Sequence, residues 1–252
     1  MLYRGSYKIE SIDDMGGGSF GVVQKVKVYN QKDYLCGIYA MKTMKSDARE
    51  IENFRNRFKR EGHLQARCCH PNIVSIYICD LESPEPWFVM ELGETDVEKL
   101  ILGGNFPTAE KLECILHLLL GMSHIHQQHL LHRDIKPSNM VKVGSTYKIA
   151  DFGLVKSTVS NPGSTPLTQI GQGMGTPGFM APEAAFGVFN NFTDIYAIGT
   201  FIEYVCYNDA VLERKLSSII HKCHEYMPAH RFQSINQILD AFMPIYQEMK
   251  NA

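Results

Sequence analysis

The 252-residue sequence predicts an α+β chain of two parts, a small β-rich region followed by a larger helical one. Short β-rich runs alternate with turn signals over 6–43, and apolar residues then recur at three- to four-residue spacing over 46–67. Beyond Gly93 the texture becomes helical, with a long Leu-, Ile- and Met-rich segment over 108–129. At 44% hydrophobic and 21% charged residues the chain is ordinary for a globular protein, long enough for one large core or two modest ones. Disordered and fibrous classes are excluded. The 25 Lys+Arg against 27 Asp+Glu leave a formal net charge of -2, so no nucleic acid is expected as a partner.

The elements follow in order. The runs YKIESIDDM, FGVVQKVKVY and IYAMKTM, separated by GGGS and NQKDYLCG, read as three antiparallel strands. Ile51, Phe54, Phe58 and Leu64 mark one face of an amphipathic helix over 46–67, opened by a Ser46-Asp47 cap. Two more strands are expected near 73–79 and 87–91, then the helical stretches DVEKLIL and 108–129. This places one lobe at about 1–91, a connector at about 91–94 and a second lobe at about 95–252, with the cleft between them a favoured place for a small molecule. Residues 157–176 form a Ser/Thr/Gly/Pro stretch without periodicity, and loops of that length are usually functional or mobile.

Seven cysteines, with none in a C-x-x-C and Cys68 adjacent to Cys69, suit neither a disulfide framework nor a zinc site. A reducing, cytoplasmic setting is expected. The first ten residues, MLYRGSYKIE, lack the apolar core of a signal peptide, and no stretch approaches the roughly 18 apolar residues of a membrane span. No membrane partner is expected. His117, His124, His126 and His129, and the group His221, Cys223 and His224, show no zinc-ligand spacing and read as satisfied or exposed histidines.

Gly16-Gly17-Gly18-Ser19-Phe20-Gly21-Val22-Val23 fits G-x-G-x-x-G-x-V between two strands. Glycine there lets backbone N–H groups approach phosphate oxygens, although a flexible hairpin turn would look the same. No helix follows Gly21, which argues against a Rossmann fingerprint. Tyr39-Ala40-Met41-Lys42 puts a lysine on the third strand. His132-Arg133-Asp134-Ile135-Lys136-Pro137-Ser138-Asn139 follows, then Asp151-Phe152-Gly153 and Ala181-Pro182-Glu183.

With these motifs in this order the sequence resembles the eukaryotic-like (Hanks-type) serine/threonine protein kinase family over nearly its whole length. The resemblance implies a single bilobal kinase domain that transfers the γ-phosphoryl of ATP, with Mg²⁺, to Ser/Thr of protein substrates, itself included. Lys42 would hold the α- and β-phosphates and be oriented by Glu61, with Glu50 and Glu52 as competitors. Gly16, Gly17, Gly18, Ser19, Phe20, Gly21, Val23 and Ala40 would line the nucleotide site, with Met90 behind the adenine and the backbones of Glu91 and Gly93 facing it. Asp134 would orient the substrate hydroxyl and accept its proton, Lys136 would neutralise the γ-phosphoryl, and Asn139 and Asp151 would ligate Mg²⁺. Thr176 would bond near Asp134 and Lys136 and favour Ser/Thr acceptors. A catalytically weak pseudokinase and a small-molecule phosphotransferase are the alternatives.

Further expectations come from the same resemblance. Arg133 would meet a phosphorylated loop residue, with Thr168 preferred and Thr165 and Ser164 as alternatives. Asp194 would brace the catalytic segment and Arg231 would pair with Glu183. Position 65 is Gln where the family usually has a hydrophobic side chain, and position 138 is Ser where several kinases that prefer upstream arginine carry Glu. Only 37 positions separate Asp194 from Arg231, so a helix that commonly docks substrates and regulators is expected to be missing there.

Overall fold

The computed structural model describes residues 2–18, 21–158 and 175–251. It divides into two compact units, Met1–Cys69 with Val74–Gly93, and His70–Ile73 with Glu94–Ala252.

In the first unit six strands form a single sheet. They are β1 (Leu2–Arg4), β2 (Tyr7–Gly17), β3 (Gly21–Tyr29) and β4 (Leu35–Met44), followed after two helices by β5 (Ile76–Asp80) and β6 (Trp87–Met90). The order is β1-β2-β3-β4-β6-β5, antiparallel throughout. Strand β1, which has no counterpart in the sequence reading, pairs Leu2 with Ile9. Period-two alternation sends side chains to opposite faces of the sheet. Ile9, Val26, Val28, Met41, Trp87 and Val89 build one core, and Met44, Phe58, Leu81 and Phe88 with Ala48 build another.

The single helix expected over 46–67 is broken into α1 (Ser46–Arg49) and α2 (Glu52–Arg67). Ile51 between them is extended, at φ -98° and ψ 103°, a conformation its β-branched side chain favours. Arg49 reaches away from the helix line to the Met44 carbonyl at 3.2 Å and the Glu85 carboxylate at 2.6 Å. These bonds anchor the first turn to the end of β4 and to Glu85. The expected Ser46-Asp47 cap is also absent as such: Lys45 and Ile51 occupy the two N-cap positions, and neither makes a side-chain cap bond.

The sequence predicts a continuous lobe at about 1–91, yet His70–Ile73 folds with the second unit. The cause is the buried Asn72, whose amide donates to the Tyr147 carbonyl at 3.2 Å while its own carbonyl accepts from Ile149 N at 2.9 Å.

That second unit begins with β7 (Thr95–Asp96), α3 (Val97–Leu102) and the long α4 (Thr108–Gln127). The short strands β8 (Leu130–Leu131), β9 (Met140–Val143), β10 (Thr146–Ile149) and β11 (Lys156–Ser157) follow, then α5 (Asn191–Cys206), α6 (Ala210–Cys223) and α7 (Ile235–Lys250). Asp96, Asn190, Asp209 and Ser234 cap α3, α5, α6 and α7 with side-chain acceptors, satisfying N–H groups that each helix start leaves over. Apolar faces meet in a core that includes Ile115, Leu119 and Met122 of α4, Ile198 and Phe201 of α5, Leu216 of α6 and Phe242 of α7. Between α5 and Arg231 the chain forms one helix, α6, and a 3₁₀ turn at Pro228–His230. No helix of the described residues is long and apolar enough to cross a membrane.

Candidate active site

In the first unit, β3 and β4 pair Val23 with Lys42 and Gly21 with Met44. A Cβ on Gly21 would lie 3.0 Å from Lys42 Cε and 3.2 Å from the Phe58 ring, so any side chain there would crowd the lysine where it runs past. Gly16 has φ +103°, a backbone conformation that glycine adopts without a steric cost. Gly17 and Gly18 complete the described part of this turn, whereas Ser19 and Phe20 lie outside the described residues.

Lys42 is buried, and its ammonium pairs with the carboxylate of Glu61 on α2, itself 3% exposed. Glu50 ends α1 and Glu52 begins α2, both exposed, so the competitors of Glu61 stand away from this pair. Ala40 lies opposite Met90 on β6, and the chain leaves the strand through Glu91 to Gly93.

The second unit assembles its polar residues around two short pairings. Leu131 of β8 pairs with Lys156 of β11, which brackets the segment that begins at His132. The β9–β10 hairpin pairs Met140 with Ile149, so Asn139 just before it and Ala150-Asp151 just after it are neighbours, and Ala150 N donates to the Asn139 carbonyl at 2.8 Å.

On that frame Asp134 becomes the hub of a hydrogen-bonded group. Thr176 Oγ1 donates to Asp134 Oδ1 at 2.9 Å, and Lys136 Nζ lies 2.9 Å from both Asp134 Oδ2 and Thr176 Oγ1. Asn139 Nδ2 donates to the carbonyl and to Oδ2 of Asp134, each at 2.9 Å. With its N–H groups used this way, Asn139 offers a cation its amide oxygen. Asp151, exposed and at φ +59°, accepts from Gly153 N at 3.1 Å through Oδ1. An amide oxygen and a carboxylate are hard donors, and Mg²⁺ commonly takes one or two protein ligands and completes its shell with phosphate and water. The donor set fits that ion.

Asp194 holds the segment from below. It is 1% exposed, and Oδ2 accepts from His132 N and bonds His126 Nε2, each at 2.9 Å, while Oδ1 accepts from Arg133 N at 2.9 Å. Burial pushes this carboxyl up, but the hydrogen bond from His126 and the charges and amides around it more than offset that and hold it below the ordinary carboxylate range. Arg133 has φ +70°, an uncommon state for a residue with a side chain, and its bond to Asp194 helps to keep it there. Burial also pushes the His132 imidazole down, so it stays neutral and packs edge-on against Phe152 at 5.6 Å.

Glu183 and Arg231 form a bidentate pair at 2.6 and 3.0 Å, and Arg231 also donates to the carbonyls of Phe192, Glu225 and Tyr226. The role of His126 toward Asp194 escaped the sequence reading, because nothing in local spacing links residues 68 positions apart. His117 accepts from Tyr147 N and His224 bonds Thr200. Arg133 stacks at 4.0 Å over the ring of Phe189, a contact that no motif announces. Thr168, Thr165 and Ser164 lie outside the described residues.

The protein kinase domain family model matches residues 9–249. This chain belongs to the protein kinase family. Among similar kinases, the probable serine/threonine-protein kinase PknB of Lactococcus lactis is 32% identical over 209 residues, which cover 80% of this chain and 31% of that protein. A probable serine/threonine-protein kinase of Clostridium acetobutylicum is 28% identical over 267 aligned positions, covering 93% of this chain and 39% of the relative. The serine/threonine-protein kinase PrkC of Bacillus subtilis is 31% identical over 200 residues, covering 77% and 29% respectively. The chain thus spans between 29% and 39% of the length of these three kinases.

Proposed function

We propose that the chain is an ATP-dependent serine/threonine protein kinase in which residues 1–252 act as one kinase domain, with lobes at about 1–91, less His70–Ile73, and at about 95–252, joined at 91–94. The observation that carries the reading is the group of Asp134, Lys136, Thr176 and Asn139, whose polar atoms converge on one carboxylate at 2.9 Å.

Phosphoryl transfer passes through a loose transition state, so positioning and charge neutralisation do most of the catalysis. Asp134, oriented by Thr176 and Asn139, accepts the proton of the attacking Ser or Thr hydroxyl. Lys136 offsets negative charge on the transferred group, and Lys42, held by Glu61, does so at the α- and β-phosphates. Ala40, Val23 and Met90 line the adenine pocket, the backbones of Glu91 and Gly93 face the base, and the glycine turn 16–21 covers the phosphates. Mg²⁺, when bound through Asn139 and Asp151, would neutralise phosphate charge and align the transferred group. Thr168, Thr165 or Ser164 would receive the phosphate in self-modification.

The test is the intact mass of the purified chain before and after phosphatase treatment, alongside phosphate transfer from Mg-ATP to a protein substrate. Phosphates present on the wild type and lost in Asp134→Asn are expected, with phosphoserine and phosphothreonine as products. A wild type that incorporates nothing would make the chain a scaffold, and mainly phosphotyrosine would sink the Ser/Thr assignment.

A further inference from the structure

We infer that Gln65 is a positioning residue for the Lys42–Glu61 pair, an inference that rests on the reading in which that pair holds the phosphates of ATP. Glu61 and Gln65 stand one turn apart on α2 and share a face. Both are buried, at 3% and 2% exposure. Where an apolar side chain was expected, Gln65 Nε2 donates to the carbonyl of Val74 at 3.0 Å. A buried amide persists where its polar atoms find partners, and a hydrogen bond fixes direction in a way that apolar packing does not.

Val74 leads into a stretch already tied to the other end of the proposed nucleotide site. Ser75 O accepts from Glu91 N at 2.9 Å, and Glu91 Oε2 accepts from Ser75 N at 3.4 Å. Gln65 therefore joins the helical turn that carries Glu61 to the segment that holds Glu91. The start of α2 has no side-chain cap and follows the break at Ile51; there Arg55 donates to the carbonyls of Glu82, Ser83 and Pro84, and Phe54 and Phe58 pack into the core, none of which fixes the direction of the Glu61 carboxylate one to two turns on. Lys59 pairs with Glu82 on the exposed side at 2.5 Å, where solvent weakens it. Beside the packing of Phe58 on Phe88, the bond from Gln65 is a buried polar tie on the Glu61 face, and it directs Glu61 toward Lys42.

The test compares Gln65→Met, which keeps length and loses the donor, and Gln65→Leu, which supplies an apolar side chain, with the wild type. Amide hydrogen exchange is measured on the full chain without nucleotide, and kcat and KM for ATP are measured with Mg-ATP. Exchange over 61–67 and 74–76 is expected to quicken about tenfold in both variants, equivalent to about 1.4 kcal/mol, with the β2–β3 pairing unchanged. A parallel fall in kcat of about tenfold is expected with a smaller change in KM, shrinking to under about twofold when Glu61→Gln is already present. Unchanged exchange in α2, or an equal loss of kcat in the Glu61→Gln background, would overturn the inference. A wild type that transfers no phosphate would count against the kinase reading alone, because the exchange comparison still decides what Gln65 does. If one variant fails to fold, the other carries the comparison.

Discussion

Asn in place of Asp194 keeps the shape of the side chain and removes a charge on which three N–H groups converge at 2.9 Å. An amide has one oxygen. Keeping it on the Arg133 N–H turns the NH₂ toward His132 N, two donors face to face, and leaves a buried N–H unsatisfied at about 1–3 kcal/mol. The Arg133 bond falls from charge-assisted to neutral, which costs about a further 1 kcal/mol. His126 adapts by presenting its ring nitrogen as an acceptor, so it adds little. The total is about 2–4 kcal/mol, and at about 2–4 °C per kcal/mol for a chain of this size the melting temperature should drop by about 5–15 °C. Because Arg133 sits at φ +70° directly before Asp134, the loss should also reach catalysis, lowering kcat by at least about tenfold. Differential scanning fluorimetry at neutral pH and initial rates with Mg-ATP read the two effects. A melting temperature within about 2 °C of the wild type, with kcat unchanged, would refute the reasoning.

Arg231→Ala should destabilise by about 3–5 kcal/mol, since it strands the Glu183 carboxylate beside a fully buried guanidinium site; a loss under about 1 kcal/mol in urea unfolding would contradict the pairing. Burial holds the His70, His117, His132 and His224 imidazoles below their ordinary value. Because the unfolded chain then takes up protons first, stability should be complete above about pH 6.5 and fall on further acidification, and equal urea midpoints at about pH 7.5 and pH 5.5 would speak against it. Burial raises the thiols of Cys68 to about 11 and of Cys206 and Cys223 to about 12, and raises Cys114 well above the ordinary value. Peptide mapping after brief alkylation at neutral pH should find label on the exposed Cys36, Cys69 and Cys79 and none on those four until the chain is unfolded; early label on Cys114 would be inconsistent with its burial.

What was legible in the sequence follows the range of the interactions. The strands of the first unit and the long α4 show in local patterning, because each buries one face and that burial imposes a period of two or about 3.6. The split of 46–67 into two helices was not visible, since nothing local announces the extended turn at Ile51, and Arg49 beside it meets Glu85 from 36 positions away. Strand β1 depends likewise on pairing across a turn whose apolar content is slight. At the site, Lys42, Asp134, Lys136, Asn139 and Asp151 stand in short motifs, whereas His126 has meaning only beside Asp194. Gln65 was visible as a departure, but its acceptor was not.

By itself the sequence determined which chemical groups this protein can bring to a reaction: an ammonium on a strand, a carboxylate with a lysine two positions on, an amide and a second carboxylate with hard oxygens. It also set the order of elements, because propensity and hydrophobic period act over a few residues. Tertiary structure decided which of Glu50, Glu52 and Glu61 faces Lys42, that His70–Ile73 folds with the second unit, and that Gln65 is held by Val74. Such choices rest on burial and on polar groups that must find partners far along the chain. Only the folded molecule brings those partners within about 3 Å of one another.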